Sequence, residues 1–176
     1  MKTITLHHLK SLNSYTSILD NDKIEEMREW AGEICNTFEN TDECFHWMMN
    51  NQKKFPFRDD LIEGLKKVTN NKFVRVDFWI QFYHWYDFFH PHSHDDGKTN
   101  LCGIIFLDDV GKTHFICNTG DERLVETVLS SSGKMITFPV DMLHYVMPHC
   151  DQGKMRYTLC FNSIIKENYW PGRPVV

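Results

Sequence analysis

Histidine and aspartate recur at two-residue intervals in one short stretch, His90-Pro91-His92-Ser93-His94-Asp95-Asp96-Gly97. On an extended chain successive side chains alternate faces, so His92, His94 and Asp96 would point the same way. A His-x-Asp pair presents an imidazole and a carboxylate at neighbouring coordination positions. A second His from elsewhere would complete a two-His-one-carboxylate face, which suits non-haem Fe(II) and leaves positions open. The best-placed distant candidate is His144, in Phe138-Pro139-Val140-Asp141-Met142-Leu143-His144-Tyr145-Val146. The same stretch allows another set. His92, His94 and His144 would form a three-imidazole centre, with Asp96 left as an ordinary turn residue beside Asp95 and Gly97.

A second kind of chemistry sits further on, at Arg156-Tyr157-Thr158. By the same alternation Arg156 and Thr158 share a face of a strand. A guanidinium fork plus a hydroxyl matches one carboxylate, because Arg offers paired donors and keeps its charge. Facing into a barrel without such a partner, Arg156 would be an expensive buried charge.

Elements must hold these residues, and the hydrophobic pattern divides the chain in two. The first part reads as helices over 22–38, 42–51 and 59–69. The first starts at Asp22-Lys23-Ile24-Glu25, with Asp22 as cap, and carries Ile24, Met27, Trp30, Ala31, Ile34 and Phe38 at helical spacing. From Phe73 the period becomes two, with Val74, Val76, Phe78, Ile80 and Phe82 alternating with more polar neighbours. Further strands are expected at Leu101–Leu107, His114–Asn118, Leu124–Leu129, Met135–Phe138, His144–Met147 and Met155–Ile165. Turn signals such as Asp108-Asp109-Val110-Gly111, Thr119-Gly120-Asp121, Ser130–Gly133 and Asp151-Gln152-Gly153 separate them. Many short strands behind a helical part predict an α+β jelly roll or barrel buttressed by N-terminal helices. The expectation is one domain over 1–176: helical support to 72, a jelly-roll core over 73–165, and a tail over 166–176.

The segment His84-Trp85-Tyr86-Asp87-Phe88-Phe89-His90 is aromatic for a loop that leads into a metal site. It reads either as a plug between the helices and the barrel, or as a substrate-facing lid in which Trp85, Phe89 and His92 line the pocket. These aromatics are not interleaved with Lys or Arg, so base stacking is disfavoured. His149, beside Pro148, reads as a loop residue rather than a ligand. His84, His90 and His114 are expected in the pocket or at the surface, and His7, His8 and His46 carry no assigned chemistry.

The bulk properties agree with one globular domain. Of 176 residues 41% are hydrophobic and 24% charged, which excludes disorder. A net charge of -5 argues against a partner held by phosphate neutralisation. The six cysteines are scattered without a C-x-x-C pair, and Met1–His8 lacks the apolar run of a signal peptide. Reduced thiols, a cytoplasmic location and no membrane span are therefore expected.

The order His94-x-Asp96, then His144, then Arg156-x-Thr158 resembles the Fe(II)/2-oxoglutarate oxygenase superfamily. His94-Asp95-Asp96 followed by Asn100–Leu107, and Thr113-His114-Phe115 after Gly111, are similar to small oxygenases found in bacteriophage genomes. The resemblance spans roughly 73–164 and implies a double-stranded β-helix. It implies iron on His94, Asp96 and His144, with 2-oxoglutarate binding the metal and its far carboxylate held by Arg156 and Thr158. Tyr83 is a second candidate partner for the cosubstrate. The implied activity is hydroxylation of a C–H bond in a small molecule or peptidyl residue, with release of succinate and CO2. Two alternatives stay open: a cupin-type metal enzyme on His92, His94 and His144 without 2-oxoglutarate, and a non-catalytic jelly-roll binding module. Arg156 discriminates, since neither needs it inside the barrel.

Overall fold

A computed structural model of the protein describes residues 12–15, 18–69, 73–99, 101–118 and 123–165. Met1–His8, the tail over 166–176 and the turn residues Asn70, Asn71 and Thr119-Gly120-Asp121 lie outside them. A short strand β1 (Asn13–Tyr15) precedes helices α1 (Asn21–Cys35), α2 (Thr41–Asn50) and α3 (Arg58–Thr69). Strands then follow as β2 (Phe73–Tyr83), β3 (Phe89–His92), β4 (Leu101–Phe106), β5 (Lys112–Asn118), β6 (Arg123–Leu129), β7 (Met135–Pro139), β8 (Leu143–Val146) and β9 (Arg156–Ile165). They form two antiparallel sheets, ordered β1-β7-β4-β9-β2 and β3-β8-β5-β6. From β2 to β9 the chain crosses between the sheets at every connection except the β5–β6 hairpin, which makes the sandwich a double-stranded β-helix. Among the described residues no helix is long and apolar enough to cross a membrane.

The larger sheet has two working faces. Phe78 and Phe161 look toward the helices, where Phe78 meets Phe55 at 5.7 Å between ring centroids. On the other face Trp79, Gln81 and Tyr83 of β2 lie opposite Cys160, Thr158 and Arg156 of β9. That face looks at the second sheet, since Arg156 reaches Thr113 on β5. Central strand β4 is buried along its whole length, as its apolar run Leu101–Phe106 requires. β2 is an edge strand, and side chains cover that edge. The Gln52 amide donates to Phe78 O at 2.6 Å and accepts from Phe78 N at 2.9 Å, while Arg58 donates to Val76 O at 3.0 Å. Such cover keeps exposed strand amides from pairing with another chain.

Several sequence expectations shift here. α1 ends at Cys35 rather than 38, because Thr37 N and Thr37 Oγ1 both bond back to Ile34 O and close the helix. Its N-cap is Asp20, not Asp22, without a side-chain cap bond. β1 and β3 are strands that the periodicity does not announce. β3 takes the end of the aromatic segment and stops at His92, so His94 and Asp96 lie beyond it rather than on a strand.

Candidate metal centre

The backbone brings the first two imidazoles together. β3 pairs with β8 so that His92 is directly opposite His144, and directly opposed residues share a face with Cβ atoms about 4.5–5.5 Å apart. The His92 and His144 ring centroids are 4.2 Å apart. His94 follows the end of β3 and is fixed by its backbone N–H, which donates to Val140 O at 2.9 Å. Its ring stacks parallel to His144, and the two Nε2 atoms are 3.3 Å apart. One nitrogen from each of His92, His94 and His144 falls within 4.8 Å of the other two.

The outer hydrogen bonds set the tautomers. His92 Nδ1 lies 2.9 Å from His90 O, and His144 Nδ1 lies 3.1 Å from Met142 O. A carbonyl only accepts, so both Nδ1 atoms carry the proton and both Nε2 atoms present a lone pair. Burial pushes the His144 pKa down to about 3 and that of His94 to about 4, with neighbouring imidazoles adding to the shift. Burial lowers His92 as well. At neutral pH all three rings are unprotonated, as metal ligation requires. A 3.3 Å separation of two Nε2 atoms also suits two metal–nitrogen bonds of about 2.0–2.1 Å meeting at somewhat more than a right angle. The donor set fits a first-row divalent metal.

Asp96 stands apart from this cluster. It is exposed, and its carboxylate accepts from Lys98 N at 2.8 Å, Thr99 N at 2.6 Å and Thr99 Oγ1 at 3.1 Å. Those bonds hold its pKa below the usual carboxylate value. The alternation that would aim it inward ends with β3.

Arg156 and Thr158 are brought together with Tyr83 on the inner face. Arg156 is 1% exposed. Its Nη1 donates to Lys112 O at 3.0 Å and its Nη2 to Thr113 Oγ1 at 2.6 Å, while Nε is buried without a partner. The guanidinium lies over the rings of Tyr83 and Phe106, at 5.4 and 5.7 Å. The nearest carboxylate in its electrostatic surroundings, Asp108, is taken by the backbone amides of Val110 and Tyr157. Tyr83 donates its hydroxyl to Gln81 Oε1 at 2.7 Å, and the Cys160 thiol donates to the same oxygen at 3.3 Å. Burial raises both pKa values, that of Cys160 to about 12, so both groups remain donors. Thr158 Oγ1 lies 3.4 Å from Gln81 O.

Between the imidazoles and this polar row runs a narrow cleft lined by Trp79, Gln81, His94, Ile104, Phe138 and Cys160 among others. Gln81 and Thr113 are site residues that the motifs pass over. Gln81 was legible from the β2 alternation with Tyr83, whereas Thr113 needs the packing of one sheet on the other. Trp85 is 40% exposed and does not line the cleft. Phe89 meets His92 at 4.7 Å and Tyr83 at 6.3 Å between centroids, beside the centre.

A scan against family models finds no match. A search of curated proteins finds none either. Solved structures do match. AviO1 from Streptomyces viridochromogenes superposes with a TM-score of 0.67 at 15% identity, covering 99% of this chain and 100% of that one. A Pseudomonas putida prolyl-4-hydroxylase gives 0.62 at 13% identity, over 89% and 94%. HygX from Streptomyces hygroscopicus, solved with nickel and 2-oxoglutarate bound, gives 0.62 at 11% identity, over 94% and 87%. This chain has their fold. At these identities the likeness speaks for architecture, and the chemistry has to be argued from the residues above.

Proposed function

We propose that this protein is an Fe(II)- and 2-oxoglutarate-dependent oxygenase that hydroxylates a C–H bond of a small molecule or peptidyl residue. The observation that carries the reading is Arg156: a guanidinium buried between the sheets, lacking an ion pair among the described residues, with Nε unpartnered. A buried cation of this kind calls for an anion. It lies on the face of β9 that also carries Thr158 and Cys160, and Cys160 lines the cleft that reaches His94 and His144.

His92, His94 and His144 would hold the iron, with the Nε2 atoms facing the cluster. Arg156 would receive the far carboxylate through Nε and the adjacent Nη edge, since its Nη1 and Nη2 already bond to β5. The Thr113 hydroxyl already accepts from that guanidinium, and Thr158 shares the same face of β9. Iron with 2-oxoglutarate supplies the oxidation of an unactivated C–H bond, coupled to decarboxylation to succinate. The chain supplies orientation and a dry cleft. Phe115 and Phe138 pack on His144 at 5.9 and 4.7 Å, and Trp79 lies 5.8 Å from His94, which shields the ligands from water. Gln81 fixes the Tyr83 hydroxyl and the Cys160 thiol, so neither is free to compete for the metal.

A cupin-type enzyme without 2-oxoglutarate would share the three imidazoles, and the tied-down Asp96 favours it to that extent. It gives Arg156 no role. The likeness to a prolyl-4-hydroxylase supports a peptidyl residue rather than a nucleic acid, as does the net charge of -5. The test is substrate-free turnover. Fe(II)-loaded protein with 2-oxoglutarate and oxygen should release succinate slowly, and His94→Ala should release none. Equal succinate from wild type and His94→Ala would refute the reading.

A further inference from the structure

His149, in the loop after β8, is 9% exposed, and neither of its ring nitrogens has a partner. Its backbone N–H donates to Trp85 O at 2.9 Å, which ties this loop to the aromatic turn after β2. Gly111, with φ of +76°, shows where the side chain lies. A β-carbon on Gly111 would sit 3.6 Å from His149 Cβ, 3.2 Å from Arg156 Cδ and 3.7 Å from Arg156 Nε. The His149 β-carbon and the Cδ–Nε end of Arg156 therefore flank one glycine. Arg156 Nε and both ring nitrogens of His149, whose Cβ adjoins the same glycine, are buried and lack partners. Buried polar groups are nearly always paired, and an unpartnered guanidinium N–H beside an imidazole that can turn its own N–H the same way is accounted for by an anionic ligand. The nearby Asp108 carboxylate does not serve them, because Val110 N and Tyr157 N occupy it at 3.0 and 2.6 Å.

We propose that His149 is a cosubstrate-binding residue, whose ring N–H donates to the same carboxylate that Arg156 receives. The carboxylate is then clamped between β9 and the loop after β8, and the aromatic turn has a use: the Trp85 carbonyl holds His149 in place. The inference rests on 2-oxoglutarate binding at Arg156. It adds a residue that the sequence reading left as part of a loop.

The test uses the Zn(II)-substituted protein and two probes. One is 2-oxoglutarate. The other is 2-oxopentanoate, which keeps the 2-oxo acid and the carbon chain but carries a methyl in place of the far carboxylate. Calorimetry on His149→Phe should show 2-oxoglutarate affinity lowered at least about tenfold, the scale of one hydrogen bond to a charged group. Affinity for 2-oxopentanoate and for Zn(II) should stay at the wild-type value, and His149→Gln, which keeps a donor, should recover part of the loss. If both probes weaken together, or if His149→Phe binds 2-oxoglutarate as wild type does, the assignment of His149 is wrong. Wild-type protein that binds Zn(II) but not 2-oxoglutarate would instead overturn the function on which the assignment rests.

Discussion

At the scale of the residue, the centre is defined by which side chains have free lone pairs. His92 and His144 are built alike: each sits opposite the other across β3 and β8, and each donates Nδ1–H to the carbonyl two residues earlier. Asp96 has spent its carboxylate on its own turn. His92→Ala should therefore lower metal affinity by about 10- to 100-fold or more, the range seen when metal-site support is lost. Asp96→Ala should change it less, and should chiefly loosen the 96–99 turn. Competition with a chromophoric chelator measures both. Asp96→Ala losing the metal while His92→Ala keeps it would restore the two-His-one-carboxylate set. The juxtaposition of Arg156 and Thr158 on one face was legible in the sequence because their spacing follows strand alternation. Which of His92 and Asp96 sits nearer to His94 and His144 was not legible, since it depends on where β3 stops.

At the scale of the element, the site depends on the register of β2 against β9, which aligns Tyr83 with Arg156 and Gln81 with Thr158. β2 is an edge strand, and Gln52 substitutes for a missing neighbour by bonding both backbone groups of Phe78. Gln52→Leu would leave a partly buried N–H and C=O without their partner, at a cost of about 1–3 kcal/mol for each group that water does not reach. Urea unfolding should show that loss, with the Gln52→Glu variant also destabilised because a carboxylate cannot donate to Phe78 O. Unchanged stability in Gln52→Leu would mean that β2 needs no edge cover. The long alternating run of β2 and the apolar run of β4 were readable from the sequence because burial dictates their pattern. β1 and β3 were hidden because they are short, with Asn13–Tyr15 and Phe89–His92 stabilised by pairing with β7 and β8 rather than by a pattern of their own. The aromatic stretch before β3 reads either as a plug or as a lid; Trp85 is 40% exposed and its carbonyl anchors the loop that carries His149.

At the scale of the whole molecule, burial of a neutral imidazole cluster links metal, protons and stability. In the folded, metal-free protein His94 and His144 have pKa values of about 4 and 3, below the ordinary histidine value of 6.5. Between these limits the unfolded chain binds more protons than the folded one, so folding stability rises with pH through that window. Metal-free protein should accordingly lose stability as pH falls from about 6.5 toward 3, and show no further change from these rings above 7. Chemical unfolding at a series of pH values measures this, and a metal-free protein equally stable at pH 7 and pH 5 would contradict the buried cluster. Bound divalent metal should raise the melting temperature and move the acid-sensitive range lower, because it binds the native state and requires the unprotonated rings.

The central claim is that one cleft holds both metal and 2-oxoglutarate, and anaerobic titration of 2-oxoglutarate into the Fe(II) protein tests it most directly. Chelation of iron by the 2-oxo acid gives a metal-to-ligand charge-transfer absorption, which reports both components at once. Wild-type protein should develop the band and saturate. Arg156→Lys, which keeps the charge but loses the fork, should need more 2-oxoglutarate, and Arg156→Ala more still, with a loss of roughly 2–5 kcal/mol expected when one side of a buried charge pair is removed. Iron content should be unchanged in both variants. Wild-type protein that binds iron at His92, His94 and His144 yet shows no band at any 2-oxoglutarate concentration would contradict the account.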